Sequence, residues 1–370
     1  MSNALKYNPT VCVVGEKYQI MVVTWCEALI SVRVGEKTYY NHSNGIRISA
    51  PGVHKFFVPQ EALDKACSYT VTCEALIDRS PYFPKKEPAS EITYSFRPIK
   101  KTNDIKIYHL ADVHGWWDYA IWASEYFNVE YDLLILNGDI SSTSNTFEEM
   151  TLPLKIASEI TKGEFPCIIS RGNHDLRGYC AEELSNYMPG DNGKSYYTFK
   201  VGCIWGVLVD TGEDKDDSCP AYGGTTCCHE FRLEQDEMIK NIIKNASSEY
   251  EATDVKYKLV ISHVPFTFKR NGEFDIERDI YSSWSKMLKE NIKPDLMLSG
   301  HTHTACISKE GSEYDDLGQP CTIIVGSNFL SDTSDPDNVL AGAFITLEEH
   351  RADVKINTKK QIILEGKIEF

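Results

Sequence analysis

From Val11 to about Phe96, apolar and polar positions alternate in short runs broken by turn residues. Clear examples are Tyr18 to Glu27, Ser31 to Tyr40, His54 to Val58 and Cys67 to Ala75. A period of two places alternate side chains on opposite faces of an extended chain, so each run predicts a strand with one face on a core. No helical period interrupts the series, and many short strands in succession predict a small all-β sandwich over residues 1–98. Pro98-Ile99-Lys100-Lys101-Thr102-Asn103 breaks the pattern, and residues 99–103 read as a linker whose lysines are solvated.

After Asp104 the rhythm changes. Apolar runs of strand length, Ile105 to Ala111, Leu133 to Asn137, Cys167 to Ser170, Leu259 to Ser262 and Leu296 to Ser299, alternate with amphipathic stretches. The latter predict helices at about 117–128, 147–162, 230–247 and 278–291, and more strands follow Cys321. Such alternation predicts an α/β layered domain over residues 104–370, with central β-sheets flanked by helices.

Composition narrows the function classes. A 370-residue chain that is 42% hydrophobic and 25% charged has material for a sizeable core. Its net charge of -16 argues against a broad grip on extended nucleic acid or an anionic membrane. A local cationic pocket, such as bound metal ions provide, stays compatible with that charge. No apolar run approaches the roughly 20 residues needed to span a bilayer, and no basic-then-apolar leader opens the chain. The twelve cysteines are scattered without CxxC spacing, which fits reduced thiols and a cytoplasmic location. The vicinal pair Cys227-Cys228 reads as two ordinary thiols or as a metal-binding pair.

The chemistry lies where the five apolar runs end. Their endings are Asp112-Val113-His114, Gly138-Asp139, Gly172-Asn173-His174-Asp175, His263, and Gly300-His301-Thr302-His303. In open α/β sheets, ligands bind in the crevice beyond the carboxyl ends of the strands, so five such ends at one rim would build one site. One aspartate or histidine after a strand is ordinarily a cap or a loop residue. Seven or more together at successive strand ends require one shared explanation. Carboxylate, amide oxygen and imidazole without thiolate suit manganese, iron or zinc, whereas a closed structural zinc favours cysteines. A carboxylate shared by two ions would hold them about 3.5–4 Å apart, an arrangement suited to hydrolysis at phosphorus.

The series D-x-H, GD, GNHD, H and GHxH, carried by residues 112 to 303, resembles the calcineurin-like metallophosphoesterase superfamily. The resemblance implies a binuclear metal-dependent phosphoric ester hydrolase, acting on phosphomonoesters or phosphodiesters by in-line attack of a metal-bound hydroxide. It implies that Asp112, His114 and His303 hold one ion, that Asn173, His263 and His301 hold the other, and that Asp139 bridges them. His174 would stabilise the transition state or protonate the leaving oxygen, with Asp175 orienting it. A sandwich before such a domain, with the strand Val22-Val23-Thr24-Trp25, is similar to the layout of purple acid phosphatase-like proteins, and implies a fibronectin-III-like appendage. The chain departs from the purple pattern at His114, where that group has glycine, and at Ser142, where it has the iron-binding tyrosine, so no purple ferric centre is expected. No arginine shortly follows Gly138-Asp139, unlike in the superfamily's protein phosphatases. The expected partner is a small phosphate ester, nucleotides included.

Several features have two readings. Arg171 could bind a substrate phosphate, as could the Asn173 amide; equally, Arg171 could pair with a rim carboxylate. Trp116-Trp117 could stack on a flat leaving group or pack at a helix start. The run Glu213-Asp214-Lys215-Asp216-Asp217, in a long segment that could form a lid, reads as a solvated turn or an extra metal site. His109 reads as a core residue. The reading opposed to an enzyme is a catalytically silent scaffold that uses its N-terminal sandwich; filled ligand positions count against it.

Overall fold

The computed structural model describes residues 4–327 and 336–370. In chain order the N-terminal part comprises β1 (Thr10–Val14), β2 (Lys17–Thr24), β3 (Ala28–Val34), β4 (Lys37–Tyr40), β5 (His42–Ser43), β6 (Ile46–Arg47), β7 (Gly52–Pro59), α1 (Gln60–Ala66), β8 (Ser68–Asp78), β9 (Lys85–Lys86) and β10 (Ser90–Ser95). The larger part follows with β11 (Ile105–Leu110), α2 (Trp117–Ser124), β12 (Leu133–Asn137), α3 (Phe147–Thr161), β13 (Cys167–Ser170), β14 (Tyr197–Val201), β15 (Ile204–Leu208), α4 (Cys228–Lys244), β16 (Tyr257–Ile261), α5 (Arg278–Met287), β17 (Leu296–Ser299), β18 (Cys306–Ser308), β19 (Thr322–Val325), β20 (Gly342–Glu348), β21 (Arg351–Asn357) and β22 (Ile362–Glu369).

Period-two patterning explains the layers. In β11 and β12, Ile105, Ile107, Leu133 and Ile135 enter one core, while Tyr108, Leu110, Leu134 and Leu136 enter another with Met150, Leu154 and Ile156 of α3. Likewise Leu259, Ile261, Leu296 and Leu298 of β16 and β17 join the first core, and Val260 and Met297 join a third with Ile239 of α4 and Trp284 of α5. The result is two sheets face to face with helices outside both. One has the order β22-β21-β20-β11-β12-β13-β1-β2-β7 and the other β14-β15-β16-β17-β19-β18. β11, β12 and β13 run parallel, as do β15, β16, β17 and β19, so the carboxyl ends of each set share a rim.

The N-terminal region is all-β apart from α1, a single short helix that the alternation does not predict. Its strands β1, β2 and β7 face a five-stranded sheet, β10-β8-β3-β4 with β9 also on β8, through Val11, Val13, Ile20, Ile30, Val32 and Val71. The run Ser31 to Tyr40 is a hairpin rather than one strand, because Gly35 adopts the left-handed conformation (φ 55°) that turns β3 into β4. β1 also pairs in parallel with β13, Cys12 opposite Cys167. The sandwich thus continues the sheet of the larger part, and one core runs through both. None of the twelve cysteines, all of them described, forms a disulfide. Among the described residues, no helix is long and apolar enough to cross a membrane.

Candidate metal centre

The rim of the two facing sheets gathers the side chains singled out by strand order. Asp112 and His114 follow β11, Asp139 follows β12, Asn173 and His174 follow β13, His263 follows β16, and His301 and His303 follow β17. Five of these residues hold left-handed backbone conformations: Asp112, His114, Asp139, His301 and His303, at φ of 52°, 47°, 50°, 69° and 53°. Such residues cost on the order of 1–3 kcal/mol each and persist only where their surroundings over-determine them. The chain therefore turns sharply after β11, β12 and β17 and presents these side chains inward. The neighbouring glycines are needed for space. A Cβ on Gly172 would lie 2.2 Å from Asp139 Oδ1, one on Gly138 2.6 Å from the His263 ring, and one on Gly300 2.5 Å from Asp112 Oδ2.

Two clusters of ligand atoms result, each within 4.8 Å: Asp112, His114 and His303, and Asp139, His263 and His301. They adjoin, since His263 Nε2 lies 3.7 Å from Asp112 Oδ1 and 3.1 Å from Asp139 Oδ2. His303 Nε2 is 3.4 Å from Asp112 Oδ1 and 3.1 Å from His114 Nε2, and Asn173 Oδ1 is 3.0 Å from His301 Nδ1. Backbone and hydroxyl groups aim these atoms. His263 Nδ1 donates to the Asn137 carbonyl (2.7 Å), which leaves Nε2 facing the cluster. Asp112 Oδ2 accepts from the His301 N–H (2.8 Å) and the Ser327 hydroxyl, which leaves Oδ1 facing it. Asp139 Oδ1 accepts from the His174 N–H at 2.8 Å.

The remaining inward atoms test whether cations fit. Asp112 Oδ1 and His263 Nε2 are buried, and the neighbours that face them are carboxylate oxygens and imidazole nitrogens of the same cluster rather than backbone or hydroxyl groups. Buried polar atoms are nearly always satisfied by dedicated partners, so two such atoms aimed into one oxygen and nitrogen cluster match a site for metal ions. Electrostatics agree. Burial alone would lower the His263 pKa, but Asp139 and Asp112 outweigh it and raise it to about 10, so without ions a proton takes the place of positive charge. His301 is driven by burial and by His263 down to about 4.

The sequence profile of the calcineurin-like phosphoesterase family matches residues 105–305, more than half of the chain and all of these strand ends. The chain belongs to the calcineurin-like phosphoesterase family. No curated protein matches this phosphoesterase-family chain in sequence. Among solved structures it is similar to the purple acid phosphatase PPD1 from yellow lupin (Lupinus luteus) seeds, at 12% identity and TM-score 0.60, over 99% of this chain and 74% of that one. It is similar also to PhoD, at 10% identity and TM-score 0.53, over 100% of this chain and 89% of that one. At such identities the likeness is one of fold, and it extends through the N-terminal region.

Other expected residues settle differently within this family member. Asp175, expected to orient His174, has its Oδ2 on the backbone N–H groups of Gly172 (2.7 Å) and Asp139 (3.1 Å), fastening one ligand loop to the next. The His174 ring instead lies between the Ser142 carbonyl, 3.1 Å from Nδ1, and Arg177 Nη1, 3.2 Å from Nε2. Arg171 has a rim carboxylate as partner, Asp210, and its guanidinium lies 5.2 Å from the Phe231 ring centroid. The acidic run is neither a solvated turn nor a metal site at its start, because Glu213 and Asp214 are buried against Arg177. Farther on, Asp217 caps α4 by accepting from the N–H groups of Cys228 and His229. Trp116 and Trp117 are each 37% exposed, with Lys155 Nζ 3.2 Å from the Trp117 ring centroid. His109 is a fully buried core residue. Sequence reasoning missed the contacts of Arg177 and Ser327, and noted Ser142 only as a departure from the purple pattern. Arg177 left a signal, as a cation three residues after the histidine of GNHD.

Proposed function

We propose that this chain is a binuclear metal-dependent hydrolase of small phosphate esters. Asp112, His114 and His303 would hold one ion, Asn173, His263 and His301 the second, with Asp139 between them. The observation that carries this reading is the pair of buried atoms, Asp112 Oδ1 and His263 Nε2, that face only the carboxylates and imidazoles of one cluster. When bound, such ions supply an activated water and neutralise phosphate oxygens; manganese, iron and zinc all suit these donors. The protein's part is positional. Ser327 and the His301 amide hold the Asp112 carboxylate, Asn137 holds the His263 ring, and Asp175 locks the Gly172 loop against Asp139.

His174 lies beside this centre, its ring centroid 4.9 Å from that of His114, where it can assist departure of the leaving oxygen. Small esters, nucleotides among them, suit a chain whose net charge of -16 repels extended polyanions. The test is turnover of 4-nitrophenyl phosphate and bis(4-nitrophenyl) phosphate by metal-depleted protein supplied in turn with Mn²⁺, Fe²⁺ or Zn²⁺. Turnover that depends on metal and disappears in Asp139→Ala supports the reading, and the ratio of the two rates ranks monoester against diester. Metal-loaded, folded protein that cleaves neither ester, nor any nucleotide offered, would overturn it.

A further inference from the structure

Arg177 is the guanidinium in contact with His174, and its own fixings are unusually complete. Its Nε and Nη2 donate to the two carboxylate oxygens of Glu213 at 2.8 and 2.6 Å, and Nη2 also lies 3.4 Å from Asp214 Oδ1. Glu213 is 1% exposed, and its carbonyl accepts from the buried Arg232 at 2.7 Å; Asp214 accepts in addition from the Tyr222 hydroxyl at 2.9 Å. A bidentate pair on a buried carboxylate cannot open without stranding that charge, so the guanidinium is held in one orientation. The remaining Nη1 points to His174 Nε2 at 3.2 Å.

The polarity of these contacts is fixed by chemistry. Arginine only donates and a carbonyl only accepts. With Arg177 on Nε2 and the Ser142 carbonyl on Nδ1, the ring carries its hydrogen on Nδ1 and is gripped at both ends. We infer that Arg177, clamped by Glu213 and Asp214, is a positioning residue of the reaction that orients the His174 ring at the metal centre, a role resting on the phosphoesterase reading. Glu213 and Asp214 lie some forty residues from His174 and reach it only through Arg177, so the acidic run is the far anchor of the device.

The kinetic test compares Arg177→Ala, His174→Ala and the double variant on 4-nitrophenyl phosphate, with metal content matched. Arg177→Ala should lower kcat about 100-fold, the scale of a misplaced reacting geometry, with KM little changed. The loss should vanish in the His174→Ala background. Wild-type kcat, or a full loss in both backgrounds, overturns the inference. An independent readout is the ¹⁵N imidazole spectrum, in which the His174 signals are identified by their absence from His174→Asn. Wild type should show hydrogen on Nδ1 and an acceptor shift at Nε2, and Arg177→Ala should move the Nε2 signal; an unmoved signal overturns the inference whatever the turnover. Glu213→Gln, which keeps the shape and weakens the clamp, should give the same changes in smaller measure if Arg177→Ala does not fold. Wild type that cleaves no ester would sink the phosphoesterase reading, and the spectrum would then decide alone whether Arg177 orients the ring.

Discussion

Removing one hydroxyl that only aims a ligand, in Ser327→Ala, should weaken metal binding. Asp112 Oδ2 is held by two donors, the Ser327 hydroxyl and the His301 N–H at 2.8 Å, and this leaves Oδ1 alone to face the cluster. Asp112 is fully buried, so no solvent replaces the missing donor. A hydrogen bond to a charged group contributes about 1.5–3 kcal/mol. Part of that loss appears as freedom of the carboxylate to rotate Oδ2 inward. If the whole is lost from the bound state, affinity falls by about 10- to 100-fold, the range found when partners of metal ligands are removed. Calorimetric titration of the metal-depleted protein with Mn²⁺ measures it, with circular dichroism confirming that the fold persists. Ser327→Thr, which keeps the hydroxyl, is the control and should bind more tightly than Ser327→Ala. Unchanged affinity in Ser327→Ala would show that the His301 amide alone aims Asp112, and the claim that backbone and hydroxyl donors set the ligand geometry would fail.

Gly172→Ala should abolish stoichiometric metal binding while leaving most of the fold, because the new methyl meets Asp139 Oδ1 at 2.2 Å and the His263 ring at 2.7 Å; elemental analysis of purified protein reads the outcome. Saturating metal should raise thermal stability, by about 2.7 kcal/mol at a hundredfold excess over Kd, and Asp112→Ala should remove most of that gain in a melting titration. Arg232→Ala should destabilise by about 3–5 kcal/mol in urea unfolding, since Arg232 is 1% exposed and donates to the Thr211 and Glu213 carbonyls as well as to Glu277. We propose that residues 1–98 and 104–370 are divisions of sequence rather than of stability, because β1 pairs with β13 and one core spans both. Calorimetry should then show one unfolding transition, and two well-separated transitions would refute it.

The strand ends were legible because function and topology coincide there. A parallel strand in a two-sided core reads as an apolar run, and its terminus is where the chain must turn, so Asp112, Asp139 and His263 stand out as the first polar residues after such runs. Helix α3 was equally plain: Thr146 and Glu149 form a capping box that starts it at the residue expected, whereas α1 went unseen. What stayed hidden depends on contacts between segments distant in sequence. Nothing local distinguishes Ser327 from other serines; its role arises because the chain after β19 passes beside Asp112, 215 residues away. The bonds of Asp175 were hidden for a related reason, since adjacency draws attention to His174, while the short 3-10 turn of His174–Leu176 directs its Oδ2 to the Gly172 and Asp139 amides. The acidic run was misjudged because charge alone reads as solvated, and only the fold shows an arginine returning to meet it. The same logic explains the merged sheet. Cys12 in β1 sits in an apolar run suited to a strand covered on both faces, but which edge it joins depends on Cys167, and pairing between distant strands leaves no mark in either sequence.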